Sequence, residues 1–262
     1  MCYNLCVMKR FILFILAFFL FFTNTPVSAA SALVKKEIQT VAADGFNLKS
    51  TLQYPKNKAQ KEYKTVVLLH SLGYNSQWWG DLPKLLNDNG YAVLMIDLRG
   101  HGKSVYNSKL TRTSWKRFTN AAYAKYPSDV IKVIESIKED NPKKIFFNEW
   151  AIVGSDIGAS SGILASDKMT MKPKTIVLLS PVVETRSLYI PVSIAQLENV
   201  DFLSISGDDD TASQNAEKYL KKFAQNEFAI YTSPSKASGM VMLKNDESLT
   251  SVITEWIKQY LK

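Results

Sequence analysis

The chain has 262 residues, 46% of them hydrophobic, enough to bury one substantial core without demanding a second domain. Its formal net charge is +8, but the lysines are scattered and no basic stripe is interleaved with aromatics. That pattern excludes a nucleic-acid site and leaves solvated faces with weak attraction for anionic surfaces.

The first element is not part of the fold. Lys9 and Arg10 precede an unbroken apolar run from Phe11 to Phe22, and "TNTPVSAASA" follows. A basic region, an apolar stretch and the small residues Val27-Ser28-Ala29 read as a signal peptide over residues 1–29, cut before Ala30. The apolar stretch is short for a membrane span, which needs about 20 residues. An uncleaved N-terminal anchor is the competing reading; after cleavage no stable span is expected. The sequence therefore predicts export, either periplasmic or secreted. Both cysteines, Cys2 and Cys6, would leave with the signal, so the mature chain has no disulfide and no cysteine nucleophile. Lys9 and Arg10 are the only charges in 1–29, so the net charge falls from +8 to +6.

Residues 30–262 read as one domain. "KKEIQTVAADGFNLKSTLQYP" predicts two strands around the turn Asp44-Gly45. "TVVLLH" and "YAVLMIDLRG" are continuous apolar runs of the kind buried parallel strands require, and "WWGDLPKLLNDNG" between them predicts a helix ending at Gly90. There follow a helix over 128–139, a strand over 149–153, a helix over 157–166 and the strand "TIVLLSP". The strand "VDFLSISG", the helix "ASQNAEKYLKKFAQ", the strand "FAIYTS" and a helix over 251–261 complete the chain. An antiparallel pair followed by alternating strands and helices predicts an open, mostly parallel α/β sheet with helices on both faces. Its chemistry would lie in the loops after His70, Asp97, Val153, Ser180, Gly207 and Ser233, at the carboxyl ends of the strands. About twenty residues separate "TIVLLSP" from "VDFLSISG", too few for a large lid.

Taken in order, "VVLLHSLGYNSQWWGDLPKLLNDNGYAVLMIDLRGHGKS", "GSDIG" and "SISGDDDTAS" resemble the α/β-hydrolase fold superfamily, in its single-domain serine hydrolase and dienelactone-hydrolase branches. The similarity covers essentially all of residues 36–262. It implies three catalytic positions: a nucleophile in Gly-x-Nuc-x-Gly, an acid after a late strand and a histidine before the last helix. Here the nucleophile position is Asp156, with Ser155 one place early. The acid position is Asp210, with Asp208 and Asp209 as near alternatives. Ser238, in "ASGM", stands where relatives carry the histidine. The backbone N–H groups of Leu72 and Ile157 are the implied oxyanion donors.

The chain contains two histidines, His70 and His101, both before the nucleophile position and both structural in relatives. Serine at 238 cannot take up a proton near neutral pH and return it. An Asp156 nucleophile resembles the epoxide-hydrolase and haloalkane-dehalogenase elbow, but there too a late histidine activates the water that clears the ester. The sequence thus predicts an exported hydrolase-fold protein related to carboxyl-ester hydrolases, with a degenerate triad and a binding or vestigial role. The alternative is an active hydrolase using Asp156 on an ester, epoxide or halide with a non-standard base such as His70. Asp156 at the start of a helix is electrostatically favourable and would repel anionic substrates. Lys236, two residues from Ser238, is within reach of Asp156 or Asp210, an exposed lysine being the more common case. No cofactor is implied, nothing in the spacing of Asp156 and Asp208–Asp210 favours a metal, and a small-molecule ligand is left open. Trp78, Trp79 and Trp115 are read as core rather than as an interaction surface.

Overall fold

Strands that are apolar at every position need cover on both faces, and that need organises the molecule. The computed structural model describes residues 32–262 apart from 58, 61, 142 and 143. The expected signal segment, 1–29, lies outside the described residues. Eight strands form one sheet: β1 (Leu33–Val41), β2 (Asn47–Pro55), β3 (Tyr63–Leu69), β4 (Ala92–Asp97), β5 (Ile145–Ser155), β6 (Thr175–Leu179), β9 (Asp201–Gly207) and β10 (Phe228–Ser233). Their order is β1-β2-β4-β3-β5-β6-β9-β10. β1 pairs antiparallel with β2 and β2 with β4, and every later pairing is parallel. A separate hairpin joins β7 (Glu184–Thr185) to β8 (Leu188–Tyr189). The mostly parallel sheet with an antiparallel N-terminal pair is the one the sequence predicts.

The main helices are α1 (Leu82–Asp88), α2 (Tyr126–Asp140), α3 (Ile157–Lys168), α4 (Pro191–Gln196), α5 (Thr211–Leu220) and α6 (Leu249–Tyr260). Side-chain alternation divides the strands between two cores. Val67 and Leu69 of β3 and Ile152 of β5 pack with Val130 and Ile134 of α2 and Ile163 of α3. Val66, Leu68 and Val153 point the other way, onto Leu82 and Leu86 of α1 and Ile253 and Ile257 of α6. Among the described residues no helix is long and apolar enough to cross a membrane.

Three boundaries differ from the sequence reading by four residues or more. The helix expected from Trp78 starts at Leu82, because 76–81 fold as turns and Pro83 is suited to a first helical turn. β5 starts at Ile145 rather than 149, its extra residues pairing with Tyr63 and Lys64 across a register shift. The helix expected to reach 225 stops at Leu220, since the chain must turn back to set Phe228 beside Phe202. The segment between β6 and β9 holds only the β7–β8 hairpin and six-residue α4.

One ion cluster ties the N-terminal turn to the sheet. Arg99, buried in the loop after β4, donates from Nε and Nη2 to Asp129 of α2, both at 2.7 Å. It also donates from Nη1 and Nη2 to Asp44, in the β1–β2 turn, at 2.7 and 3.0 Å. Its guanidinium lies 4.4 Å from the Phe46 ring centroid. The Arg99 hydrogen bonds hold the Asp44 carboxyl well below the usual range, whereas burial pushes Asp129 up. Removing the cation would strand a buried carboxylate. Arg99→Met is expected to cost about 3–5 kcal/mol, read from urea unfolding; a loss below about 1 kcal/mol would mean the cluster contributes little.

Candidate active site

The turn from β5 into α3 sets the geometry. Asp156 has φ 51° and ψ −119°, a sparsely populated conformation for a non-glycine residue. Glycine is needed on both sides of it: a Cβ at 154 would lie 2.5 Å from Ala159 Cα, and one at 158 would lie 2.1 Å from the Leu69 carbonyl oxygen. The absence of both side chains lets α3 begin directly above the end of β3.

The loop after β3 meets this turn. The Leu72 N–H donates to Asp156 Oδ2 at 3.2 Å. Burial raises the Asp156 pKa, the N–H groups of Leu72 and Ile157 pull it back, Arg186 lowers it and Asp210 raises it. The N–H groups that the sequence singled out as oxyanion donors therefore face the Asp156 carboxyl itself. Ser155 is turned away and fully buried, its Oγ 2.6 Å from Ser71 Oγ.

The two later loops close the far side. After β9, Asp208 and Asp209 are exposed while Asp210 is half-buried at the start of α5. Asp210 Oδ1 accepts the Ser213 N–H at 3.2 Å, the helix-capping bond, and its Oδ2 is buried with no partner. After β10, Gly239 has φ 58°; its N–H donates to Ser180 Oγ at 2.7 Å, and a Cβ there would press on Ser71 Oγ. Asp156, Asp210, Ser238 and Leu72 line one pocket of about 630 Å3, with Tyr74 and Ser180. Ser238 is exposed on its rim.

Lys236 takes the commoner of its two expected outcomes: it is exposed, lies 3.9 Å from the exposed Asp209, and pairs with neither Asp156 nor Asp210. The sequence reading missed Arg186 and Ser180. Ser180 ends the β6 run in one of the loops marked for inspection, but nothing in the sequence marked Arg186. Among the described residues no group of three or more His, Cys, Asp or Glu could hold a metal.

Both histidines serve the backbone. His70 Nε2 accepts the Leu98 N–H at 2.9 Å, and its Nδ1 is 2.8 Å from the Ser71 carbonyl, to which it donates in the neutral tautomer this fixes. His101 Nε2 accepts the Gly73 N–H at 3.0 Å, with Nδ1 on the Arg99 carbonyl and its ring stacked on Trp115 at 5.4 Å. Burial takes both pKa values down to about 4. Of the three tryptophans singled out, Trp79 is core, while Trp78 is half exposed and edge-on to Tyr74.

Residues 60–235 match the family model described as "Serine aminopeptidase, S33". A comparison with curated proteins finds no match. Among solved structures the chain is similar to an esterase from Exiguobacterium antarcticum, at 14% identity over 85% of this chain and 100% of the other, with a TM-score of 0.65. It is similar to a cold-adapted esterase from an Arctic intertidal metagenomic library, at 16% identity over 91% and 99%, with a TM-score of 0.67. For a dienelactone hydrolase from Anabaena variabilis the figures are 13% identity, 88%, 99% and 0.63. At these identities the likeness is one of fold.

The buried groups give opposed pH responses. The folded state refuses the proton that an unfolded histidine takes up near pH 6.5, so stability is full above that pH and falls toward pH 4, by up to about 3 kcal/mol per histidine. His70→Gln is expected to be less stable at pH 7 yet to lose less between pH 7 and 4.5. Asp156 has a raised pKa, so its ionised form costs stability at neutral pH, and the cost fades as pH falls through the raised value. Asp156→Asn is expected to gain on the order of 1 kcal/mol at pH 7 and less at pH 4. Urea midpoints across this range test both, and a destabilised Asp156→Asn at pH 7 would contradict the second.

Proposed function

The chain belongs to the family described as serine aminopeptidase, S33, and from that membership we propose an exported α/β-hydrolase-fold protein, related to carboxyl-ester hydrolases, whose pocket binds rather than turns over. The observation that carries the reading is the Leu72 N–H bonded to the Asp156 carboxylate. Acyl transfer needs such donors free for the oxygen of the tetrahedral intermediate, about 2.7–3.1 Å away. Here the protein's own anion occupies them, and a second anion would meet like charge.

The missing base supports the same reading. No imidazole lines the pocket, and Ser238 and Asp210 are both among its lining residues. An active hydrolase using Asp156 would still need a proton acceptor to clear its ester. His70 is the named candidate, and both its ring nitrogens are engaged by backbone. With Asp156 and Asp210 facing it, the pocket suits a neutral or cationic small molecule. Export rests on the basic and apolar pattern of residues 9–22 and the small residues before Ala30.

Purified protein is expected to give no turnover of short p-nitrophenyl esters above background. Supplying both missing groups, Asp156→Ser with Ser238→His, is expected to raise hydrolysis by at least about 100-fold, the usual lower contribution of a general base. Steady multiple turnover by the unaltered protein that vanishes in Asp156→Ala would overturn the reading. Intact mass of the secreted product tests the cut before Ala30.

A further inference from the structure

The charges lining the Asp156 pocket do not balance. Three carboxylates, Asp156, Asp209 and Asp210, line the 630 Å3 cavity with one cation, Lys236. That cation lies beside Asp209, and both side chains are exposed. Asp156 and Asp210 make no ion pair among the described residues. Arg186 favours the charge on Asp156, but its guanidinium lies over the Tyr123 ring, 5.4 Å from the centroid, and does not line the cavity.

The two carboxylates without a cation stand on different loops, Asp156 after β5 and Asp210 after β9. The donors to Asp156 are backbone N–H groups, those of Leu72 and Ile157. Asp210 gives one oxygen to the Ser213 N–H, and its other oxygen meets no donor. Asp210 also makes the charge on Asp156 costlier. A carboxylate drawn out of water without a cation is unfavourable, and a cavity lined by one sign of charge concentrates the opposite sign. The lining is otherwise apolar at Leu72, Tyr74, Val182 and Val241.

We infer that this pocket binds an aliphatic diamine, one ammonium serving Asp156 and the other Asp210, with the methylene chain against the apolar lining. The inference rests on the reading of the pocket as one that binds rather than turns over, and it names the ligand class. An alkylammonium is charged at neutral pH and carries three donors, so it gives carboxylates the charge-assisted bonds a neutral molecule lacks. A monoamine would leave one of the two carboxylates without a cation. A quaternary ammonium would bring no N–H. A divalent metal is not favoured, since no group of three or more acids or histidines among the described residues could hold one.

Isothermal titration of the purified protein with putrescine, butylamine and butane-1,4-diol tests it. Putrescine is expected to bind saturably and butylamine at least about ten-fold more weakly, the scale of one charge-assisted hydrogen bond, with no heat from the diol. Asp156→Asn and Asp210→Asn should each weaken putrescine by about the same factor. Asparagine still caps a helix, so the second variant keeps its fold, which circular dichroism checks. Asp88→Asn, at an exposed acid on α1, should leave binding unchanged. Equal binding of butylamine, unchanged binding in Asp156→Asn, or equal weakening by Asp88→Asn would overturn the assignment. A protein that hydrolyses no ester and binds no putrescine would overturn it too, leaving the reading of the pocket intact; ester turnover would remove both.

Discussion

Helix α3 reaches the sheet only because positions 154 and 158 carry no Cβ. A methyl group at 158 would sit 2.1 Å from the Leu69 carbonyl, inside any tolerable contact. With both positions bare, the helix starts directly above the ends of β3 and β5, and the single residue between strand and helix is forced to φ 51°. The first N–H groups of α3 and that of Leu72 then point at the same small volume. An anion-favouring spot exists there whatever side chain occupies position 156. The packing of a helix on a sheet thus creates the electrostatics of the pocket.

Position 156 carries a carboxyl, and its environment is divided. Burial disfavours the charge, while Leu72, Ile157 and Arg186 favour it and Asp210 opposes it again. A serine would leave the donors to a ligand; aspartate engages them itself. The two histidines illustrate the opposite arrangement, in which burial and backbone bonds act together. His70 joins the ends of β3 and β4 through Ser71 and Leu98, and His101 joins the 99–101 turn to Gly73. Each is neutral because neutrality gives it one donor and one acceptor, which is what the backbone around it requires.

How much of this was legible depended on whether the deciding force was local. The buried strands were, because a continuous apolar run has few other fates. The turn at Asp44-Gly45 and the glycines around Asp156 were, because only glycine tolerates those conformations and contacts. The choice among Asp208, Asp209 and Asp210 was not local: the resemblance put forward Asp210, while both Asp209 and Asp210 line the pocket and Asp210 also caps the following helix. The β7–β8 hairpin was not legible. Its two turn residues, Arg186 and Ser187, have φ 50° and 68°, and such turns are normally announced by Asn-Gly or Asp-Gly. Tertiary packing overrode that preference, so Arg186 reached the neighbourhood of Asp156 without a signal. The exposure of Lys236 was the commoner expectation, because a long charged side chain keeps its head in water unless a buried partner holds it.

The loop that carries Ser238 argues that scaffold and chemistry are separable here. Gly239 is held at φ 58°, bonded to Ser180 Oγ and pressed against the Ser71–Ser155 pair, and a Cβ at Gly207 would strike the Ala237 carbonyl at 2.1 Å. These contacts fix the backbone on both sides of position 238 through packing and one hydrogen bond, and none uses the side chain at 238. The same holds at 156, where glycine contacts and helix placement fix the backbone while the carboxyl projects into the pocket. Substitution at these two side chains therefore alters the pocket's chemistry while leaving intact the interactions that hold its shape. The shape of the pocket and its charge pattern are therefore set by different atoms.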